Sequence, residues 1–322
     1  MEQQRSMFDV VFFRDLLSAS LIFFLVAFAP LVGAIVFVFL PLPMLHYYLK
    51  HGRVKGFAIL VFALVIAAIP LNIMNVPANT VLFAMLAGAG IMIAECLKRN
   101  YSVEKTIAYP VVAIFILSAL GLLYQAFLAN EAPWQLVKVY IDKQIRYSVN
   151  LYSNLQLASE QISFIKDRVP EIVASVTQIF PALFTVALLY MIWANMLAGR
   201  IISKKQGFLL GSDFGDLSSW KPPERMVWYF IAAGAILLLP GVGTEFVAWN
   251  VLVVISSIYL LAGLAIVSFF LKKSALPSAF RYLIYFLIFA QQIATLVVVA
   301  AGLFDLWVDF RKLNKPMEDS AV

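Results

Sequence analysis

Apolar residues in this chain arrive in runs of about 20, separated by short polar turns. At about 1.5 Å rise per residue a helical run of that length crosses a hydrocarbon layer of roughly 30 Å. The first run, 10–49, is too long for one helix and is interrupted at Pro30, Pro41 and Pro43. It predicts a hairpin of two spans turning near 29–31, with one long kinked helix as the competing reading. Further spans are predicted at about 57–73, 76–97, 106–128, 170–198, 226–239, 248–271 and 280–306. Pro110 falls near the start of its span, where a missing backbone donor costs least, and Pro181 predicts a kink inside the sixth. Ala84 with Gly88, and Gly90 with Ala94, place small residues one helical turn apart, a pattern that lets helices approach closely.

Residues 129–169 break the pattern. Lys138, Asp142, Lys143, Arg146, Glu160, Lys166, Asp167 and Arg168 are too many charges for hydrocarbon. Ile141, Ile145, Val149, Tyr152, Leu155, Ile162 and Ile165 recur mostly at three and four, the period of an amphipathic helix. Such a segment lies on the membrane surface or over the bundle; a solvated connector is the alternative. The expected fold is therefore all-α, a polytopic transmembrane helix bundle of about eight to nine spans with an extracytoplasmic amphipathic helical segment. It divides into 1–128, 129–169 and 170–322, the last carrying a polar loop at 199–225. The N-terminus reads as an uncleaved first span, because more apolar runs follow at once and no small-residue cleavage site precedes a soluble chain.

Composition agrees with the pattern. Of 322 residues 63% are apolar and 13% charged, against about 45–50% and 25% in soluble chains, so the bilayer is the expected solvent. The formal charge of +6 does not point to nucleic acid, because the basic residues sit in short loops between apolar runs. Loops 49–55, 98–105, 199–225 and 272–281 together hold 14 of the 24 basic residues, and the alternate loops 72–79 and 240–247 hold none. The first set should face the cytoplasm and 129–169 the outside. Nine spans would then strand Arg311, Lys312 and Lys315 outside, unless a late segment is re-entrant or folded back.

Enzyme signatures are missing from the sequence: no HExxH, no GxSxG, no phosphate-binding glycine loop and no Cys/His pairs at metal spacing. A non-enzymatic protein without a cofactor is expected. His46 and His51 flank the first basic loop as interfacial residues, and the single cysteine, Cys96, makes no intrachain disulfide. Polar side chains inside spans are costly in lipid, which makes them candidate binding or packing residues. Gln291 and Gln292, with Thr295, sit near the middle of the last span; Thr177 and Gln178 lie in the sixth, Gln125 in the fifth, and Asn72, Asn75, Asn79 and Thr80 at an outer end. For the paired glutamines the expectation is that at least one hydrogen-bonds to another span. Asp305 and Asp309 are one turn apart, as in a cation site, but Arg311 and Lys312 beside them favour a charge cluster. No intramembrane acid shows a basic partner deep in a span, so a proton-coupled pump is not suggested.

Three C-terminal passages, FGDLSSWKPPERMVWYF (214–230), YLLAGLAIVSFFLKKSALP (259–277) and GLFDLWVDFRKL (302–313), resemble the YybS-like family of bacterial integral membrane proteins of unknown function. That resemblance implies a multi-pass protein of the cytoplasmic (inner) membrane. The family is in turn remotely similar, in its N-terminal half, to the substrate-binding S components of energy-coupling-factor transporters. The matching passage is LPLPMLHYYLKHGRVKGFAILVFALV (40–65), where a proline-broken span meets a basic loop and re-enters the membrane. The resemblance implies a small-molecule ligand and an energising transporter module as partners beside the bilayer. Two readings follow. In one, the first six spans bind a solute among Asn75, Asn79, Thr80, Gln125, Thr177 and Gln178, with Gln291 and Gln292 as further contacts. In the other, the protein is a membrane scaffold or assembly partner that docks other membrane proteins through 129–169 and 199–225.

Overall fold

The computed structural model describes residues 9–74, 80–154, 164–205, 216–239, 243–274 and 276–313. Its elements are helices α1 (Val10–Phe28), α2 (Pro30–Val38), α3 (Pro41–Ile73), α4 (Thr80–Lys98), α5 (Val103–Ala129), α6 (Pro133–Asn154), α7 (Val169–Lys205), α8 (Met226–Leu238), α9 (Glu245–Lys273), α10 (Ser278–Ala290) and α11 (Gln292–Val308), with a 3-10 turn at Leu217–Ser219 before α8. Six of these helices, α1, α3, α4, α5, α7 and α9, are long and apolar enough to cross a membrane, and a seventh span results if the bent pair α10–α11 counts as one. The polytopic bundle is as expected; the count is lower than eight to nine because α3 takes in parts of two expected spans and α8, at 13 residues, is too short to be counted. The chain forms two compact units, Met1–Gln125 with Ala187–Phe214, and Ala126–Val186 with Gly215–Val322.

In the first unit α1 runs antiparallel to α2 and the start of α3. Ser18 meets the Tyr47 hydroxyl at 2.6 Å, Asp15 meets His51, and a Cβ on Gly33 would stand 2.7 Å from the Val26 carbonyl. The hairpin reading therefore holds over the single kinked helix. The returning limb is broken at Phe39–Leu40, because Pro41 and Pro43 have no N–H to continue the ladder. Leu40 and Leu42 bond three residues back instead, and the Val38 carbonyl takes the Asn195 side-chain amide of α7 at 2.8 Å. Every freed group near a broken membrane helix needs such a partner.

A second break hides inside α3. Gly52 has φ 80° and ψ −178°, a region essentially reserved for glycine. Beyond it Gly56 lies against Tyr48, where an added Cβ would be 2.7 Å from the Tyr48 Cα. In a straight helix residues eight apart are about 12 Å apart. The 33-residue helix is thus two legs folded on one another, which recovers the separate second and third spans read from the sequence. On α4 the small-residue pattern works through Gly90, whose Cβ would fall 2.0 Å from the Pro41 carbonyl, whereas Gly88 meets nothing within 4 Å.

The second unit is organised on α9. At the Pro181 kink of α7, the Asn250 side chain accepts from the Ala182 N–H at 2.8 Å and donates to the Gln178 carbonyl at 2.9 Å. Those two groups would bond to one another in an unbroken α-helix, so one amide is spliced into the ladder and ties α9 to α7. Replacing Asn250 with Leu should cost about 0.6–2 kcal/mol, read as earlier unfolding in a detergent titration, since partial closure of the α7 ladder limits the loss. Asn250→Gln, too long for the gap, should not restore it.

The third break turns the chain by 100° between α10 and α11, at Gln291. Gln291 is extended (φ −111°, ψ 111°), its carbonyl takes the Thr295 N–H as the first bond of α11, and the Thr295 hydroxyl donates to the Ile288 carbonyl left at the end of α10. Where this pair begins and ends decides the topology. Lys272, at the end of α9, bonds Asp216, and Arg311, just past α11, donates to the Ser218 carbonyl at 2.6 Å. Segment 274–308 therefore leaves and returns at the same end of its unit, which makes it a re-entrant excursion. This removes the conflict over Arg311 and Lys312, which now share an end of the unit with the strip 216–221 and Lys272. Lys312→Cys, on a background lacking Cys96, should resist an impermeant thiol reagent in intact cells while Asn150→Cys labels; labelling of the former would refute the re-entrant path.

Candidate functional site

The three passages singled out in the C-terminal third meet in one ionic cluster of the second unit. The αL conformation of Asp309 (φ 46°, ψ 58°) ends α11 and turns Phe310 and Arg311 back along it. Asp305, 2% exposed, then accepts from the Phe310 N–H at 2.9 Å and from the Arg311 guanidinium at 2.7 Å. The same guanidinium donates to the Ser218 and Trp220 carbonyls, which fastens the strip 216–221 to the end of α11. Lys221 bonds Asp309 at 2.7 Å and stands 3.8 Å from Asp305. Asp216 binds Lys272 and the Ser218 hydroxyl, and these contacts hold its carboxyl at about 2, below the usual 3.8. The pair Asp305 and Asp309 is filled by side-chain cations and backbone N–H groups, as the charge-cluster reading anticipates. Beside it lies a small cleft, with room for about one water molecule, bordered by Lys221, the Pro222–Pro223 pair, Glu224, Tyr259, Gly302, Asp305 and Leu306. One donor in the cluster, Arg311 Nε, is buried without a hydrogen-bond partner among the described residues.

The first unit has its own cluster at the end bearing Gly52. Asp15, 4% exposed, accepts from Lys50 at 2.5 Å and Arg14 at 3.2 Å, and lies 2.7 Å from His51 Nε2. Glu95 is shared by Tyr48, Arg53 and Arg99. Asp15 is a buried acid with basic partners, placed in the second turn of α1 and not deep in a span. Its partners lie 35 and 36 residues away, and only the antiparallel hairpin brings them together.

The candidates named from the sequence are divided between the two units. Asn75 and Asn79 lie outside the described residues. In the first unit Thr80 is half-buried and Gln125 exposed. In the second, Thr177 is buried with its hydroxyl on the Val173 carbonyl of its own helix, and Gln178 serves through its main chain. Gln291 and Gln292 are both exposed, and neither side chain reaches another described helix, so the expected interhelical hydrogen bond is not formed. Gln291 is extended and not helical, so the two glutamines do not lie within one continuous span. The polar residues that do tie helices together, Asn195 and Asn250, went unremarked in the sequence. A lone amide within a long apolar run was the signal available for both.

No curated protein and no solved structure matches the chain. A family model does, the one described as predicted membrane protein (DUF2232), and it covers residues 18–306, from within α1 almost to the end of α11. The long apolar helices, the paired breaks and the ionic cluster all fall within or beside that match, and the chain belongs to the DUF2232 family of predicted membrane proteins.

Proposed function

We propose that the protein is a non-enzymatic assembly component of the bacterial cytoplasmic membrane, which docks another membrane protein through the strip 216–225. The observation that carries this reading is the fixing of a non-helical strip at both flanks. Lys272 and Arg311 hold its first half to the ends of α9 and α11, and the Pro222–Pro223 pair stiffens the rest. Pro223, Glu224 and Arg225 are left exposed in a set geometry, and such preorganisation lowers the ordering cost of binding. The partner class includes the energising module implied by the resemblance to S components. A photo-crosslinking residue at Glu224 should give a discrete protein adduct in cells, weakened by Lys272→Gln, which loosens the strip from the surface. Lipid adducts alone would sink this reading.

A second reading, binding of a small solute in the manner of an S component, has one observation in its favour. Asn195 is fully buried, both its amide hydrogens go to carbonyls, and its Oδ1, beside the broken helix at 39–40, has no partner among the described residues. Discontinuous membrane helices are where transporters commonly place ligands. Native mass spectrometry should then show a bound small molecule that Asn195→Leu removes, and an adduct-free spectrum of the intact protein would dismiss it.

A further inference from the structure

Helix α6 presents three different sectors, and only two of them are accounted for by the protein and by water. At about 100° per residue, Val137, Ile141 and Ile145 share one side of the helix. Val137 and Ile141 are each 6% exposed and Ile145 is half-buried, so this side packs on the protein, and Trp134 stands edge-on to Phe246 of α9 with ring centroids 5.5 Å apart. Gln135 and Arg146 lie on the far side, where Arg146 forms an exposed ion pair with Asp142, four residues back. Between the two, along one edge of the packed face, runs a strip of Tyr140, Tyr147 and Leu151, confined to about 40° of the helix and 60%, 67% and 50% exposed.

We infer that this strip is seated in the headgroup region of the outer leaflet, so that α6 lies along the membrane surface with protein on one side, lipid beneath and water above. Three observations choose lipid as the occupant. Tyrosine has an apolar ring and a polar tip, the chemistry enriched where hydrocarbon meets headgroups. Exposed Lys143 borders the strip, within reach of lipid phosphates, while the acid of the helix, Asp142, stands on the opposite side, paired with Arg146. The strip also follows closely on exposed apolar residues at the end of a helix long and apolar enough to cross a membrane: Phe127 and Leu128 of α5 are exposed, and α6 starts after three intervening residues. A helix attached that closely to a span end stays at membrane depth.

The test uses the full chain with Cys96→Ala, reconstituted in phosphatidylethanolamine/phosphatidylglycerol vesicles and carrying one nitroxide at a time. Labels at Tyr140→Cys, Tyr147→Cys and Leu151→Cys should collide several-fold more with oxygen than with a water-soluble nickel chelate, and labels at Gln135→Cys and Arg146→Cys should show the reverse. Circular dichroism and gel filtration of each variant confirm the fold before measurement. Strip labels as open to nickel as the Arg146 label would overturn the proposal in favour of a solvated face. Strip labels shielded from both reagents would overturn it in favour of a protein partner, and added spin–spin broadening would identify that partner as a second copy of this chain.

Discussion

Arg311→Met should destabilise the second unit by about 3–5 kcal/mol, the cost of breaking a buried ion pair from one side. The guanidinium is fully buried at its side chain, and Asp305 is 3% exposed there, so its removal leaves a carboxylate held by the Phe310 N–H alone, with its nearest cation, Lys221, at 3.8 Å. It also strips the donor from the Ser218 and Trp220 carbonyls, so the strip 216–221 keeps only the Lys221–Asp309 contact with the end of α11. The size of the loss reflects an abandoned charge rather than a large net value for the pair. The double variant Asp305→Asn/Arg311→Met, which leaves no buried charge, should recover a substantial part of it. Denaturant titration in mild detergent, followed by tryptophan fluorescence, measures both; a double variant as unstable as the single one would show that the lost carbonyl contacts, and not the uncompensated charge, dominate.

Gly263→Ala and Gly302→Ala should each cost about 1–3 kcal/mol or more, although each adds a single methyl. An added Cβ would lie 2.0 Å from the Val298 carbonyl at the first position and 2.1 Å from the Tyr259 carbonyl at the second. Both obstacles are backbone, which cannot swing aside as a flexible side chain could, so α9 and α11 would have to move apart along the contact that anchors the re-entrant pair. Small residues set the approach of membrane helices because lipid offers no hydrophobic drive to hold badly fitting surfaces together. Gly88→Ala provides the contrast: nothing lies within 4 Å of its Cβ, and the change should be neutral or stabilising by up to about 1 kcal/mol through helix propensity. Equal losses at all three glycines, in the same titration, would reject the close-contact explanation.

Part of this architecture was legible in the order of residues because it depends on local physics. A run of about 20 apolar residues in a chain that is 63% apolar can bury its backbone polar groups only as a helix in lipid, so the all-helical, multi-pass fold followed directly. Proline positions marked the hairpin near residue 30 and the broken limb at 39–40, since a missing N–H acts wherever it stands. The amphipathic period of 133–154 likewise needed only spacing. What the order of residues could not convey was which distant groups would meet. Asp15 became a paired buried acid through Lys50 and His51; Asn250 acquired its role by being spliced into a ladder 68 residues away; Gly90, and not Gly88, became the contact because Pro41 lies opposite it. The bend at Gln291 carries no proline or glycine to announce it, and it stands because Thr295 satisfies the Ile288 carbonyl it frees. The charge rule detected that something was amiss with a ninth straight span. Only the shared attachment of Lys272 and Arg311 to the strip at 216–218 decided that the chain turns back, because sidedness is a property of helix ends meeting in space, and no local preference specifies where they meet.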